Sequence, residues 1–245
     1  MPGASGRPGR VLLGDLDLSA HPAEIAPHLL GARLVSEVGG AKVVVRIVEV
    51  EAYGGVGEDP GSHAYRRRTP RNATMFGPPG HAYVYFTYGM HWCVNLVTGL
   101  EGTAGAVLIR AARVVEGAAI AWQRRPTARR PEDLCRGPAR LTAALGITGV
   151  HDGARLIAHP RTAGDSTASA HLVLLPREEA VRSVAQGPRT GVRGPGADVP
   201  WRFSITDDPA VSPYRPAQDR PARDRLAGDS TLRSPHRRAS GQIGP

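Results

Sequence analysis

HAYVYFTYGMHWCVNLV, residues 81–97, reads as two strands joined by a very short connection at Tyr88-Gly89. Hairpin tips of this length favour small polar pairs such as Asn-Gly or Asp-Gly, because both central residues need positive φ. Here the tip carries a phenol ring, with Met90, His91 and Trp92 close behind. Side chains alternate across a strand, so Tyr83, Tyr85 and Thr87 share one face and Val84 and Phe86 the other. Aromatic residues make up only 5% of the chain. Their clustering between Tyr53 and Trp92 therefore points to a ring-stacking site, with ordinary core packing as the competing reading.

Working back along the chain, AKVVVRIVEVEAY (41–53) is β-branched and alternating, the pattern of a half-buried strand. It places Glu49, Glu51 and Tyr53 on one face and Val48, Val50 and Ala52 on the other. A carboxylate two residues before a tyrosine shares its pocket, and the strand opens into a long polar loop at 54–80, where sites often sit. A solvated charge at an exposed strand end is the bland reading of Glu51. Working forward, GAVLIRAARV (105–114) is another strand, ending near Arg110 with Leu108 on the same face. VVEGAAIAWQ begins a helix, and GPARLTAALGI (137–147) is a helix with Pro138 in its first turn and Gly146 at its end. DLSAHPAEIAPHLLG reads as a helix capped by Ser19 or Asp17 and ended by Gly31. HLVLL and WRFSI are strands, and GPRTGVRGPGADVP is a basic Gly/Pro loop in which Arg189 and Arg193 suit phosphate contacts. Disorder is expected over 1–10 and in the Arg- and Pro-containing tail from 216 to 245, leaving one domain over 11–215.

Composition narrows the partner. The 245 residues carry a net charge of +9, almost all of it from Arg, with Lys42 the single lysine. An Arg-rich basic surface suits a polyanion, although GC-rich coding alone enriches Arg, Ala, Gly and Pro together. Cys93 and Cys135 make no Cys-x-x-Cys pair, which suits a reducing cytoplasm. No apolar run approaches the ~20 residues of a membrane helix. Metal-ligand spacings, a phosphate-binding Gly-Lys-Ser/Thr loop and a Gly-x-Ser-x-Gly elbow are all missing from the sequence. No metal and no cofactor are expected.

The stretches taken in order are VEVEAY, SH at 62–63, TPRN at 69–72, MF at 75–76, PG at 79–80, YVYFTYGMHWCVN, GAVLIRA and GPARL. Together they resemble the alkyladenine (3-methyladenine) DNA glycosylase family over about residues 11–215, most closely over 46–114. The resemblance implies a mixed α/β (α+β) fold. It would be a single compact domain with a curved antiparallel sheet, surrounding helices and a projecting, DNA-intercalating β-hairpin. It implies a monofunctional enzyme of base-excision repair that flips alkylated or deaminated purines out of double-stranded DNA and leaves an abasic site. Glu51 would be the general base and Arg110 would help hold water and phosphate. Tyr53, His63, Tyr85, Asn95 and Leu108 would form the base pocket. Tyr88 would fill the gap in the stack, with Met90 and Arg71 against the DNA. A cytoplasmic, nucleoid-associated monomer is expected. HAYRRR at 63–68 is more basic than the family pattern, and His91 and Trp92 depart from it beside the wedge. The competing functional readings are a lesion-recognising protein of this fold without catalysis and a nonspecific DNA-binding protein.

Overall fold

Thirteen consecutive residues, Ala41–Tyr53, form the strand along which the rest of the molecule is arranged. The computed structural model describes residues 11–157 and 171–217. The expected disorder at 1–10 and, apart from residues 216 and 217, in the tail lies outside them. In chain order the elements are β1 (Leu12–Leu13), β2 (Leu16–Asp17), α1 (Pro22–Ile25), β3 (Arg33–Val38), β4 (Ala41–Tyr53), β5 (Ala82–Thr87), β6 (His91–Val97) and β7 (Ala106–Glu116). There follow α2 (Ala118–Arg124), α3 (Pro138–Leu145), β8 (His171–Leu175), β9 (Val184–Gly187) and β10 (Arg202–Ile205). The fold is mixed α/β, one compact domain. Eight strands make a curved, wholly antiparallel sheet in the order β5-β6-β7-β4-β10-β9. The first half of β4 also pairs with β3, which pairs with β8.

The alternation of β4 contains a switch that the sequence alone hides. Val43, Val45 and Ile47 are core residues at odd positions, yet so are Val50 and Ala52 at even ones. A bulge reconciles them. The β4–β7 ladder pairs Ile47 with Ala112, then Glu49 with Ala111, then Val50 with Ile109, leaving Val48 and Arg110 as the extra residues of their strands. An extra residue flips every later side chain to the opposite face. Glu49, Glu51 and Tyr53 thereby leave the face that Val43 and Ile47 occupy. Val48 does not join Val50 and Ala52, as simple alternation expects, but packs with Ala111 and Ala210.

Two further expectations change. The helix expected from 17 to 31 is one α-turn followed by a 3₁₀ turn at Ala26–Leu29. Pro27 has no N–H to give the Ala23 carbonyl, so the α-helix cannot continue. Its cap is neither Ser19 nor Asp17 but His21, whose Nδ1 accepts from the Ala23 N–H at 3.2 Å. Arg110 lies inside β7, not at its end, since the strand runs on to Glu116. The helix at 137–147 is as read: Pro138 is its first residue and Gly146 ends it at φ +71°.

Candidate active site

Strand register brings distant residues into one row. Cα partners across five adjacent strands are Arg202 on β10, Glu51 on β4, Leu108 on β7, Asn95 on β6 and Tyr83 on β5. Directly opposed residues of antiparallel strands project to the same face. These five side chains, with Tyr53 and Tyr85 two residues along their strands, therefore converge on one side of the sheet.

Glu51 is fully buried, not the solvated strand-end charge of the bland reading. Its Oε1 accepts the Thr190 backbone N–H at 2.6 Å. Its Oε2 accepts the Tyr53 hydroxyl at 2.9 Å and Arg110 Nη1 at 3.1 Å. A carboxylate has about four acceptor sites, so three donors leave room for one more partner. Arg110 is the bulge residue of β7, and bulges re-aim side chains. Burial disfavours its charge, but Glu51 and Glu49 more than compensate and hold its pKa above the ordinary arginine value. Burial, then the Glu51 charge, pushes the Tyr53 phenol well above its usual range, so it remains a donor.

A cavity of about 540 Å³ opens above this floor. Its lining includes Tyr53, His63, Tyr83, Tyr85, Tyr88, Asn95, Leu108, Arg110, Thr190 and, at the start of α3, Pro138 and Ala139; Glu51 itself lies beneath Tyr53, Arg110 and Thr190 and does not line it. Tyr83 and Tyr85 lie stacked at 29° with centroids 5.3 Å apart. His63 meets the Tyr85 ring edge-on at 4.7 Å, and its Nδ1 lies 3.2 Å from the Tyr83 hydroxyl. Partial burial, then the Arg71 charge, lowers the His63 pKa. The TPRN motif explains why His63 stays there. Thr69 and Asn72 form a reciprocal capping box at the 3₁₀ helix Pro70–Phe76, and Asn72 Nδ2 donates to the His63 and Arg67 carbonyls at 2.9 and 3.0 Å. Asn95 is buried and spends one amide hydrogen on the Tyr83 carbonyl at 2.9 Å.

The hairpin β5–β6 turns at Tyr88 (φ +52°) and Gly89 (φ +68°), and Met90 N–H closes the turn onto the Thr87 carbonyl at 3.2 Å. Both central residues have the positive φ that tight hairpins require. Tyr88 is 84% exposed, although it also reaches the cavity mouth. Met90 is 66% exposed and does not line the cavity. Arg71 also stands outside it, donating to the Phe86 carbonyl at 3.0 Å with its guanidinium 5.8 Å from the Tyr85 ring centroid.

Several residues that shape the site were not singled out from the sequence. Glu49 is fully buried and accepts from Arg110 Nε at 2.9 Å, Arg202 Nε at 2.7 Å and Ser212 N–H at 2.8 Å. Burial opposes its charge, but Arg110 and Arg202 together hold its pKa below the ordinary value. Its place on the Glu51 face was the available signal. Thr190 and Ser212 gave none, because their contacts are set by folding across more than 100 residues of chain. Arg189 is a correction. Expected at a phosphate, it is buried, with its guanidinium paired to Asp59 by two hydrogen bonds of 2.5 and 2.7 Å. It lies 4.7 Å from the Tyr53 ring centroid, so it backs that ring. Arg193 remains exposed and lines the cavity. Among the described residues, no group of three His, Cys, Asp or Glu side chains could hold a metal ion, and no helix is long and apolar enough to cross a membrane.

Comparison with known proteins places the chain among the DNA glycosylases: the family model of methylpurine-DNA glycosylase matches residues 17–209. Relatives from three bacteria are each named "Putative 3-methyladenine DNA glycosylase". One from Streptomyces avermitilis is 50% identical over 192 residues, 78% of this chain and 86% of its own. One from Leifsonia xyli is 50% identical over 202 residues, 80% and 89%. One from Nocardia farcinica is 47% identical over 223 residues, 89% and 96%. The chain belongs to the methylpurine-DNA glycosylase family.

Proposed function

We propose that this protein is a monofunctional DNA N-glycosylase. It extrudes alkylated or deaminated purines from double-stranded DNA, hydrolyses the N-glycosidic bond and leaves an abasic site. The observation that carries the reading is a buried carboxylate, Glu51, held by the Tyr53 hydroxyl, Arg110 and the Thr190 N–H, three residues that line a tyrosine-walled cavity and cover the carboxylate beneath it. The extruded base stacks between Tyr53 and Tyr85, with His63 at its edge and Asn95 and Leu108 along the wall. Stacking on an aromatic ring is worth ~1–3 kcal/mol per base. Glu51 takes a proton from water as the water oxygen bonds to the anomeric carbon and the base departs with the glycosidic electron pair. The same negative charge favours the oxocarbenium-like sugar. Arg110 holds Glu51 in place and keeps a cation near the sugar-phosphate.

Tyr88 enters the minor groove and occupies the place of the extruded nucleotide, with Met90 and Arg71 against the duplex. Insertion of apolar side chains between base steps is a general minor-groove device. Damaged and mispaired bases cost least to unstack. An amine that forms a Schiff base would be needed for strand cleavage. The single lysine, Lys42, pairs with Glu116 at the opposite end of β4 from Glu51, nine residues or about 30 Å of strand away. That separation supports hydrolysis without strand cutting.

The test uses labelled duplexes, each with one 3-methyladenine analogue, hypoxanthine or ethenoadenine, incubated with wild type and with Glu51→Gln. Abasic sites are read by alkaline cleavage. Release by wild type, lost in the variant while binding persists, is expected. Binding without release by well-folded wild type would leave a lesion-recognising protein. Strand cleavage trapped by borohydride would overturn the monofunctional assignment.

A further inference from the structure

Arg110 does not grip Glu51 with both arms of its fork. It gives Glu51 one donor, Nη1, at 3.1 Å. Its Nε goes to Glu49 Oε1 at 2.9 Å and its Nη2 to Ser212 Oγ at 3.3 Å. A guanidinium facing a single carboxylate would normally pair with it through two parallel hydrogen bonds. Glu49 prevents that. It lies two residues before Glu51 on the same face of β4 and, like Glu51, is fully buried and outside the cavity lining; Glu51 differs in that Tyr53 and Thr190, which hold it with Arg110, line the cavity. Four donors hold it: Arg110 Nε, Arg202 Nε, the Ser212 N–H and the Ser212 hydroxyl, the last at 2.9 Å. Arg202 Nη2 also donates to the Ser212 carbonyl at 2.8 Å. Two arginines, Arg110 buried and Arg202 partly buried, and two buried carboxylates thus form a charge-balanced set. Ser212, which ties it together, lies beyond residue 209, where the family match ends.

We propose that Glu49, clamped by Ser212, is a positioning residue for the glycosylase reaction: it draws the Arg110 fork away from Glu51 and leaves that carboxylate free to accept the proton of the attacking water. The inference rests on the role given to Glu51 above. Without the Glu49 charge, Arg110 turns Nη1 and Nη2 together to Glu51, occupying the acceptor site that water needs and leaving Nε without a carboxylate partner. Duplex binding is untouched, because Glu49 reaches neither cavity nor surface.

The experiment compares wild type, Glu49→Gln and Ser212→Ala. The side-chain Nε–H resonance of Arg110, identified by its loss in Arg110→Lys, reports the Glu49 contact. Single-turnover base release and duplex affinity are measured alongside, on whichever of hypoxanthine or ethenoadenine duplexes the wild type processes. Expected for Glu49→Gln are an upfield shift of the resonance, an unchanged duplex Kd and release slowed by at least about tenfold, the worth of one charge-assisted hydrogen bond. Ser212→Ala should move both readouts the same way by a smaller factor, and it decides the matter if Glu49→Gln does not fold. A shifted resonance with wild-type release, an unshifted resonance, or a rate lost only in step with duplex binding would overturn the proposal. Wild type that releases no base sinks the glycosylase reading itself, and the inference with it. That failure shows in the wild-type arm before any variant is compared.

Discussion

The Tyr53 hydroxyl donates to Glu51 Oε2 at 2.9 Å from two residues further along the same strand. One side chain thus offers a ring to the cavity and a hydrogen bond to the carboxylate beneath it, and two substitutions separate the roles. Tyr53→Phe keeps the ring and should bind lesion-containing duplex as wild type does. It should lose about 2 kcal/mol of stability, because a buried carboxylate loses a donor. Tyr53→Ala should also weaken lesion binding by the stacking contribution of ~1–3 kcal/mol. Denaturant unfolding and titration of a hypoxanthine duplex check both. Equal binding by the two variants would remove Tyr53 from the stacking role.

The Asp59–Arg189 pair joins the 54–63 loop to the 187–196 segment, and both side chains are buried. Leaving one member of such a pair uncompensated costs about 3–5 kcal/mol, so Asp59→Ala should be strongly destabilised at pH 7. Burial alone would raise the Asp59 pKa, but its hydrogen bonds and charge contact with Arg189, with the Gly54 and Gly61 N–H groups, bring it below the ordinary value. A carboxyl with a lowered folded pKa contributes stability that is complete above its unfolded pKa of about 3.9 and is lost as pH falls through the folded value. Wild-type stability should therefore fall on acidification below about pH 4. Asp59→Ala, already without that contribution, should show a shallower fall. Urea midpoints between pH 7 and 2.5 measure it.

What could be read from the sequence was local. The faces of Glu51, Tyr53, Tyr83 and Tyr85 follow from strand periodicity, and the ends of α3 follow from Pro138 and Gly146. The paired irregularity at Val48 and Arg110 does not, since a bulge depends on how two strands meet rather than on either strand alone. Beside Arg110 and Tyr53, the partners that fix Glu49 and Glu51 arrive from Thr190, Arg202 and Ser212, more than 130 residues away in sequence. Arg189 shows the same limit from the other side. In a basic Gly/Pro loop an arginine resembles a phosphate ligand, and only the fold brings Asp59 to meet it.

His63 should be uncharged when it meets a base. Its pKa is lowered first by partial burial and then by Arg71. A histidine with a lowered folded pKa resists protonation in the native state, so its contribution to stability is present above the unfolded value of about 6.5 and is lost as pH falls below it. The ¹H–¹⁵N ring resonances should titrate below that value in wild type and move back toward it in Arg71→Gln. A titration midpoint at or above the ordinary histidine value would contradict the arrangement.

Tyr88 holds a left-handed backbone conformation, φ +52°, with 84% of its surface exposed, so nothing in the folded protein alone rewards a tyrosine there. The conformation costs a residue with a Cβ roughly 1–2 kcal/mol. Glycine escapes that cost but gains about 0.4–1 kcal/mol of freedom in the unfolded chain. Tyr88→Gly should therefore be more stable than wild type by roughly 0.5 kcal/mol. The same substitution removes the ring proposed to fill the stack, so lesion-duplex affinity and base release should both fall. Thermal unfolding of the free protein, set beside single-turnover release on a hypoxanthine duplex, reads the two effects separately. A variant with gained stability and wild-type release would show that the hairpin tip has no part in extrusion. A variant that loses both would mean that the ring makes contacts within the fold.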